Sequence, residues 1–366
     1  MMLSPRVRTL GFAAVLAAVA GCTNGHGSTS SSSPASGSVA TATAPSLPST
    51  GSSESPTSPG PGGLPLHPVA DVPMPGPAVR FDYQDVDADH RRLYVAHLGA
   101  NQVVAVDVDR LTVAGTVAGA ANVHGVRVAP DLDRVFATAT GTDQVVAIQA
   151  SSLTVTGRAS TGRFPDGVAY DPIHKAVFVS NKDDGSETVL DASTLAVRRT
   201  LRLAGEVGNV IWDGAEQRML VAARPPDQLL SVDPDTGQVT GRVDLPGCSG
   251  AHGVAVDPAT HTAFVACERN ARLAVVDLAS LHQRDLQTVG DDPDVLAFDP
   301  GLSRLYVAAE SGVVAVFDEK GPAMHKLGQA KLADGAHTVA VDPTTHRVFF
   351  PLESVHGHPI LRVMAP

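Results

Sequence analysis

The chain has 366 residues, with 38 Asp and Glu against 27 Lys and Arg, so its formal net charge is −11 at pH 7. A protein that binds nucleic acid by neutralising phosphates needs a basic surface, and scarce aromatics offer little base stacking, so this class is disfavoured. Aromatic residues make up only 4% of the chain, while 34 Gly and 27 Pro supply many turns. This composition predicts an all-β protein with many short strands.

The first 21 residues are typical of a secretion signal. Arg6 and Arg8 give a positive amino end, and the apolar run that follows is too short to span a bilayer. The segment ends in Val19-Ala20-Gly21-Cys22, which is similar to the lipobox of bacterial lipoproteins. Residues 1–21 are therefore predicted to be a lipoprotein signal peptide, and Cys22 the lipidated first residue of the mature chain. Ordinary secretion with a chance cysteine is the alternative.

Residues 22–65 are predicted to be the lipidated cysteine followed by a tether. Ser, Pro, Gly and Thr dominate this stretch, and Glu54 is its only charged side chain. Such a composition cannot bury enough apolar area to fold, so the tether is expected to be disordered. These features predict an extracytoplasmic protein anchored to the cell membrane through lipid on Cys22.

An internal repeat spans the remaining residues, 66–366. In each unit an apolar strand ends at an anchor, usually an aspartate, and second, third and weaker fourth strands follow. The seven anchors, spaced by 42 to 44 residues, are Asp87, Ala129, Asp171, Asp213, Asp257, Asp299 and Asp342. Four strands in a unit of this length are typical of a propeller blade, so the repeat predicts a seven-bladed β-propeller over residues 66–366.

The last repeat lacks a fourth strand because the chain ends after its third. A stretch with the character of a fourth strand lies at the other end of the domain, at residues 69–74, from Val69 to Met74. We expect this strand to complete the C-terminal blade and close the ring. Closure removes an open sheet edge that could otherwise pair with another chain.

The repeats resemble those of YVTN-family β-propellers, the type found in YncE-like periplasmic proteins. The matching stretches are Pro165-Asp-Gly-Val-Ala-Tyr-Asp-Pro172, Gly253-Val-Ala-Val-Asp-Pro258 and Leu93-Tyr-Val-Ala96. The fourth blade departs from this pattern, since it reads Gly208-Asn-Val-Ile-Trp-Asp213. The resemblance implies the fold over residues 66–366 and says little about activity, because propellers serve many functions.

The mouth of the central channel is the predicted functional face. The first strand of each blade lines the channel, and the residue five positions before each anchor stands where that strand begins. Apart from Gly208, these positions hold acids or histidines: Asp82, His124, Asp166, His252, Asp294 and His337. In a regular hairpin, Asp82 would lie opposite His97 and His252 opposite Cys267. An outer set of loop residues is expected around them: Lys182, Arg224, Glu268, Glu310 and Glu353.

Three interpretations of this mouth remain open. The acids and histidines can be structural, bonding to backbone N–H groups of neighbouring blades. They can bind a small ligand, a peptide, a glycan or an envelope protein without chemistry. They can also hold a divalent metal, with His124, His252 and His337 as candidate ligands, and support a metal-dependent lyase or hydrolase reaction. Virginiamycin B lyase-like propellers, which also have seven blades, use His and a divalent metal at this mouth.

Binding without catalysis is the favoured prediction. The sequence contains no His-Glu-x-x-His metal motif, no Gly-x-Ser-x-Gly elbow and no phosphate-binding glycine loop, so no catalytic residue and no firm cofactor is assigned. The chain is therefore predicted to be a lipid-anchored binding or scaffold module that uses the channel mouth.

Two other residue sets carry structural predictions. Cys248 and Cys267 fall on the mouth side of blade five, and in an oxidising compartment a disulfide between them is expected, with two buried free cysteines as the alternative. Three histidines share one position in the turn on the opposite face, where a turn role is expected: His174, His261 and His346.

Overall fold

The computed structural model describes residues 63–320 and 323–366. The predicted signal peptide, Cys22 and almost all of the predicted tether lie outside the described residues. Among the helices of the described part, none is long and apolar enough to cross a bilayer.

Seven four-stranded antiparallel sheets make up the described part of the chain, so the predicted seven-bladed β-propeller is confirmed. The strands of blades one to three are β2 (Gln84–Asp87), β3 (Arg92–His97), β4 (Gln102–Asp107), β5 (Thr112–Ala118); β6 (Val123–Ala129), β7 (Arg134–Ala139), β8 (Gln144–Gln149), β9 (Thr154–Ser160); β10 (Pro165–Asp171), β11 (Ala176–Asn181), β12 (Ser186–Asp191) and β13 (Val197–Arg202).

Blades four to seven repeat the same order. Their strands are β14 (Glu206–Asp213), β15 (Arg218–Arg224), β16 (Gln228–Val232), β17 (Val239–Asp244); β18 (Ala251–Asp257), β19 (Thr262–Cys267), β20 (Arg272–Asp277), β21 (His282–Thr288); β22 (Pro293–Asp299), β23 (Arg304–Ala309), β24 (Val313–Asp318), β25 (His325–Lys331); β26 (Ala340–Val341), β27 (Val348–Val355), β28 (His358–Ala365) and β1 (His67–Pro73). Short 3-10 helices join second and third strands at the mouth: Leu98–Ala100, Thr140–Thr142, Lys182–Asp184 and Glu268–Asn270; another, Pro130–Leu132, lies in a first turn.

The ring closes where the sequence predicts, by a strand from the amino-terminal side. The sheet order of blade seven is β1-β28-β27-β26. Val72 pairs with Leu361, and the backbone N–H of Met74 donates to the carbonyl of Pro359 at 3.0 Å. Val72 and Leu361 belong to one apolar cluster with Phe81, which leads into blade one. The hydrogen bonds therefore complete blade seven, and the apolar cluster joins it to blade one.

Apolar side chains between the sheets form the core. The central residue of the second strand is a fully buried aromatic in most blades: Tyr94, Phe136, Phe178, Phe264, Tyr306 and Phe349. The second and third strands bury one face against each neighbouring blade, which is why their residues read as nearly continuous Val, Leu and Ala, whereas the outer fourth strands are largely exposed. The ring that results is a rigid frame for the loops at its two faces.

The aspartate anchors hold the first turn of their blades, on the face opposite the mouth. Asp171 accepts hydrogen bonds from the backbone N–H groups of Ile173 and His174 at 2.8 and 3.1 Å. The imidazole of His174 lies 2.6 Å from the same carboxylate. His346 similarly contacts Asp299 at 2.9 Å, whereas His261 contacts Glu216 at 3.3 Å. The carboxylates of Asp171 and Asp299 are therefore occupied by turn backbone and neighbouring imidazole groups.

Candidate functional site

A β-bulge at the start of the first strand aims side chains into the mouth. Ala251 pairs with Cys267 and Val254 with Val265, so His252 and Gly253 together face a single residue of the second strand. The expectation that His252 lies opposite Cys267 is wrong by one residue for this reason. Blade three has the same shift, since Pro165 rather than Asp166 pairs with Asn181.

Glycine inside these bulges lets adjacent blades approach at the channel. A Cβ atom on Gly253 would lie 1.9 Å from the carbonyl oxygen of Asp294 in the next blade. A Cβ atom on Gly208 would lie 2.6 Å from the Cα atom of His252. Contacts this short are not tolerated, so only glycine permits this close packing. The mouth residues of successive blades are thus brought together by backbone proximity.

A cavity of about 580 Å³ occupies the mouth. Eight of the predicted mouth residues line it: Asp82, His124, Asp166, Lys182, His252, Glu268, Asp294 and Glu310. Arg80 and Asp292, which the sequence did not single out, also line the cavity. The mouth is therefore acid-rich, with carboxyl groups outnumbering the lysine and arginine side chains.

Tyr83 forms the floor of this cavity and was missed at the level of sequence. Its side chain extends from blade one, and its hydroxyl accepts a hydrogen bond from Asn209 of blade four. The same hydroxyl donates to Asp294 Oδ1 at 3.1 Å and lies 3.3 Å from Nε2 of His252. Tyr83 also lines a second cavity of about 350 Å³ in the channel below, so it lies between the two.

A sequence signal for Tyr83 does exist. Four residues before the anchors, three blades carry glycine: Gly125, Gly167 and Gly253. Blade one has a tyrosine at this position. Where other blades have glycine here, the neighbouring blade packs against it. The larger side chain of Tyr83 cannot fit in that space, so it must point into the channel.

Three buried side chains from three adjacent blades converge beside the cavity. Asp82 of blade one, Asp294 of blade six and His337 of blade seven each place one potential ligand atom within 4.8 Å of the others. Nδ1 of His337 lies 2.8 Å from the carbonyl oxygen of Gly335. Its Nε2 is buried and has no hydrogen-bond partner among the described residues. We call these three residues the Asp-Asp-His cluster.

Burial and neighbouring charges shift the pKa values of Asp82, Asp294 and His252. Burial, reinforced by the charge of Asp294, raises the pKa of the Asp82 carboxyl to about 6. Burial also acts to raise the pKa of Asp294, but contact with His252 outweighs it, and the pKa of Asp294 is lowered. The imidazole of His252 is 3.3 Å from Asp294, and this contact raises the pKa of His252 against the effect of burial. Asp294 and His252 thus form an ion pair, whereas Asp82 faces a like charge.

The remaining cavity wall combines charged and aromatic groups. The ring of His124 meets the ring of Phe164 edge to face at 5.2 Å between centroids, and its Nδ1 lies 2.8 Å from the carbonyl oxygen of Asn122. Asp166 lies 3.9 Å from both Lys182 Nζ and His252 Nε2. These groups leave an aromatic surface on one side of a polar cavity.

Ion pairs hold the rim of the mouth. Arg80 contacts Glu310 at 2.6 Å and Asp82 at 3.5 Å. Arg224, which is only 2% exposed, contacts Glu268 at 2.7 Å and also Glu206. The basic side chains near the mouth are therefore already engaged with acids.

The other predicted site residues lie away from the cavity. His97 is fully buried and stacks on Phe81 at 4.1 Å between ring centroids, which explains why burial lowers its pKa. Glu353 is half-buried beside Gly335, on which a Cβ atom would lie 3.1 Å from its carboxylate. Of the three predicted metal-binding histidines, only His337 belongs to the Asp-Asp-His cluster.

Cys248 and Cys267 form a disulfide in the structure, with their Sγ atoms 2.08 Å apart. It ties the segment before β18 to the end of β19, on the mouth side of blade five. Glu268, which lines the cavity, directly follows Cys267 in the chain. The disulfide therefore holds the backbone beside one wall of the cavity.

Comparisons with known proteins establish the fold alone. No protein-family model matches the chain, and no curated protein is similar to it. A chain of the Kuenenia stuttgartiensis hydrazine synthase is 14% identical, with a TM-score of 0.67 over 80% of this chain and 96% of that chain. The WD40 repeats of RRP9 are 10% identical, with a TM-score of 0.69 over 82% and 99%.

A chain of the mitotic checkpoint complex is also similar, at 12% identity and a TM-score of 0.70 over 86% of this chain and 96% of that chain. At such identities the shared feature is the propeller, a fold that commonly serves as a binding or scaffold module. The residues of the mouth must therefore supply the functional argument.

Proposed function

We propose that this protein is a lipid-anchored, extracytoplasmic binding module that takes a polar ligand into its channel mouth. The acid-rich cavity of about 580 Å³ is the observation that carries the proposal. Carboxylates accept hydrogen bonds and attract positive charge, so the ligand they suit presents hydroxyl and amine donors. An aromatic surface at Phe164 and His124 suits the apolar face of a sugar ring. A glycan that carries amine groups is the ligand class that best fits this wall.

Binding can be tested with oligomers of glucosamine, using the neutral N-acetylated oligomers as the comparison ligands. The double variant Asp166→Asn with Asp292→Asn removes two charges from the cavity while preserving side-chain shape. We expect it to weaken glucosamine-oligomer binding by about 10-fold or more, equivalent to about 1.4 kcal/mol. The matched control is Asp89→Asn with Asp235→Asn, which removes two exposed charges from the opposite face.

Equal affinity for the charged and neutral oligomers in calorimetry would argue against an amine-selective mouth. Equal losses in the cavity and control variants would place binding elsewhere on the protein. Retained binding in the control, together with loss in the cavity variant, is the result we expect.

The anchoring part of the proposal rests on the lipobox-like stretch that ends at Cys22. Several acyl chains on one cysteine suffice for stable attachment to a bilayer. We expect the wild-type protein in the membrane fraction and a Cys22→Ser variant out of it. A variant that fractionates with the membrane as the wild type does would contradict the lipid anchor.

A metal-dependent lyase or hydrolase acting at the same mouth is the second candidate. The observation that favours it is the Asp-Asp-His cluster beside the cavity. Such an enzyme would turn over a substrate in a reaction that chelation stops, whereas a binding module would release its ligand unchanged. Product analysis of bound ligand, with and without EDTA, separates the two.

A further inference from the structure

We propose that Asp82, Asp294 and His337 form a binding site for one divalent transition-metal cation, Zn²⁺ or Mn²⁺. This inference deepens the proposed function, because it names a cation that the same mouth would hold. It stands on the geometry of the Asp-Asp-His cluster, whose ligand atoms lie within 4.8 Å of one another. The three residues come from blades one, six and seven, so the closed ring fixes their positions before any ion arrives.

His337 is the observation that distinguishes this cluster from an ordinary group of acids. Its side chain is fully buried, and its Nδ1 is 2.8 Å from the carbonyl oxygen of Gly335. A carbonyl accepts a hydrogen bond only from a protonated nitrogen, so this contact places a proton on Nδ1, and in the neutral imidazole the lone pair is then on Nε2. Nε2 is buried without a partner among the residues described, although a buried polar atom normally has one. A metal ion would satisfy it.

Each carboxylate ligand is also oriented by a hydrogen bond of its own. Asp82 Oδ1 accepts from the backbone N–H of Tyr83 at 2.9 Å. Asp294 Oδ1 accepts from the hydroxyl of Tyr83 at 3.1 Å. Metal sites typically hold their ligands by such outer contacts, including a backbone carbonyl behind a ligating imidazole. Tyr83 therefore acts as a positioning residue for both acids.

Charge also favours a cation at this place. Two buried carboxyl groups lie close together. Arg80 is 3.5 Å from Asp82, but its shorter contact, at 2.6 Å, is with Glu310, while His252 pairs with Asp294 at 3.3 Å. A divalent ion would allow both carboxyl groups to ionise side by side. Asp82 and Asp294 line the cavity, so an ion bound to them would face the ligand space and could coordinate a ligand oxygen.

The donor set selects the kind of metal. Ca²⁺ takes six to eight oxygen ligands, and Mg²⁺ prefers oxygen as well. Imidazole suits zinc and other transition metals, and carboxylates suit manganese. One imidazole with two carboxylates and an open side toward a cavity therefore fits Zn²⁺ or Mn²⁺ best.

Titration calorimetry of the full chain, purified in detergent and stripped with EDTA, tests the proposal. We expect one Zn²⁺ per chain. His337→Ala, Asp294→Asn and Asp82→Asn should each weaken Zn²⁺ binding by more than about 100-fold. Mutation of residues that only support metal ligands already lowers metal affinity by about 10- to 100-fold. The matched controls are His282→Ala and Asp235→Asn, which alter exposed residues at turns of the opposite face and should bind as wild type.

A second measurement needs no variant and so does not depend on variant folding. Pulsed electron paramagnetic resonance of the Mn²⁺-loaded wild type should show coupling to one imidazole nitrogen, which ¹⁵N-histidine labelling would shift. A wild type that binds no metal, a spectrum without nitrogen coupling, or ligand variants that keep wild-type affinity would each overturn the site. Glucosamine-oligomer binding by the EDTA-stripped protein separates this outcome from failure of the proposed function, since the acid-rich wall acts without the ion.

Discussion

Asp342 and Asp82 lie at opposite ends of first strands and meet different surroundings. Asp342, on the face opposite the mouth, accepts two hydrogen bonds from Arg91 at 3.0 and 2.7 Å and one from the backbone N–H of Thr344. Burial acts to raise its pKa, but these partners lower it to about 2. At the mouth, burial and the charge of Asp294 raise the pKa of Asp82 to about 6.

The same contrast extends to the other aspartates of the two faces. Four aspartates at or next to the ends of third strands on the opposite face have lowered pKa values, mainly because turn N–H groups or an arginine bond to them: Asp107, Asp191, Asp233 and Asp277. At the mouth, burial and nearby acids raise the pKa of Asp292. These acids of the opposite face therefore stabilise the fold, whereas Asp82 and Asp292 at the mouth lie close to other acids at a cost in stability, which is typical of a site. Asp294 differs from them because His252 pairs with it.

The largest expected effect comes from breaking the Arg91–Asp342 ion pair on the opposite face. Arg91→Ala leaves the fully buried carboxylate of Asp342 without its cation, which should cost about 3 kcal/mol of unfolding free energy. Urea unfolding of the full chain measures it. The matched control is Arg110→Ala, whose side chain is 81% exposed and pairs with Asp107. A surface pair is worth at most about 1 kcal/mol, so equal losses in the two variants would refute the contrast.

The next effect concerns pH. A carboxyl group whose pKa is lower in the folded chain binds fewer protons when folded, so its contribution is present above pH 4 and is lost as the pH falls toward 2. From the pKa of about 2 for Asp342, we expect a loss of about 2 kcal/mol over this range. Urea midpoints at several pH values should show it for the wild type. An Arg91→Ala variant with the same acid dependence would contradict the assignment.

A smaller effect is expected at the floor of the mouth. Tyr83→Phe removes the hydroxyl that joins Asn209 to Asp294 and leaves polar groups buried, at a cost of about 1.5 kcal/mol. The matched control is Tyr170→Phe, whose hydroxyl bonds to the partly exposed Asp131. Thermal unfolding of the EDTA-treated protein should show the larger loss for Tyr83→Phe. The reverse order would mean that the hydroxyl does not couple the blades.

The smallest effect has the opposite sign. Asp82→Asn removes a buried charge that faces Asp294, so the variant should be more stable than wild type by about 1 kcal/mol at pH 7.5 in EDTA. A raised pKa in the folded chain means that Asp82 costs stability as the pH rises from 4 to about 6. The gain should therefore disappear at pH 4. A variant that is less stable than wild type at pH 7.5 would show that Asp82 serves a structural role.

The fold was predictable because its repeat depends on residues that are close together in the sequence. An anchor such as Asp257 recurs at a nearly constant interval, and each blade needs the same turn. The closing strand could be found because blade seven lacked a fourth strand and residues 69–74 supplied one. Such features depend on neighbours along the chain, which a sequence displays directly.

The site was only partly predictable, because its contacts cross the channel. Asp82, Asp294 and His337 could be placed at the mouth, but their convergence depends on blades six, seven and one meeting in the ring. The bulge displaced His252 by one residue from the regular register. His97 occupies a mouth position in the repeat, but Phe81 stacks on its ring, a contact that the sequence does not indicate. Distances between blades follow from the closed ring rather than from sequence spacing.

The closing strand also determines when the ring can form and where it can open. Asp71 and Arg362, which face each other across β1 and β28, are 291 residues apart in the chain. Contacts at such separation form late, because the intervening chain must be ordered first. Blade seven therefore stays three-stranded until β1 reaches β28. Tension applied to the chain at the start of β1 would act first on this strand, opening the ring between blades seven and one while the other six blades remained intact.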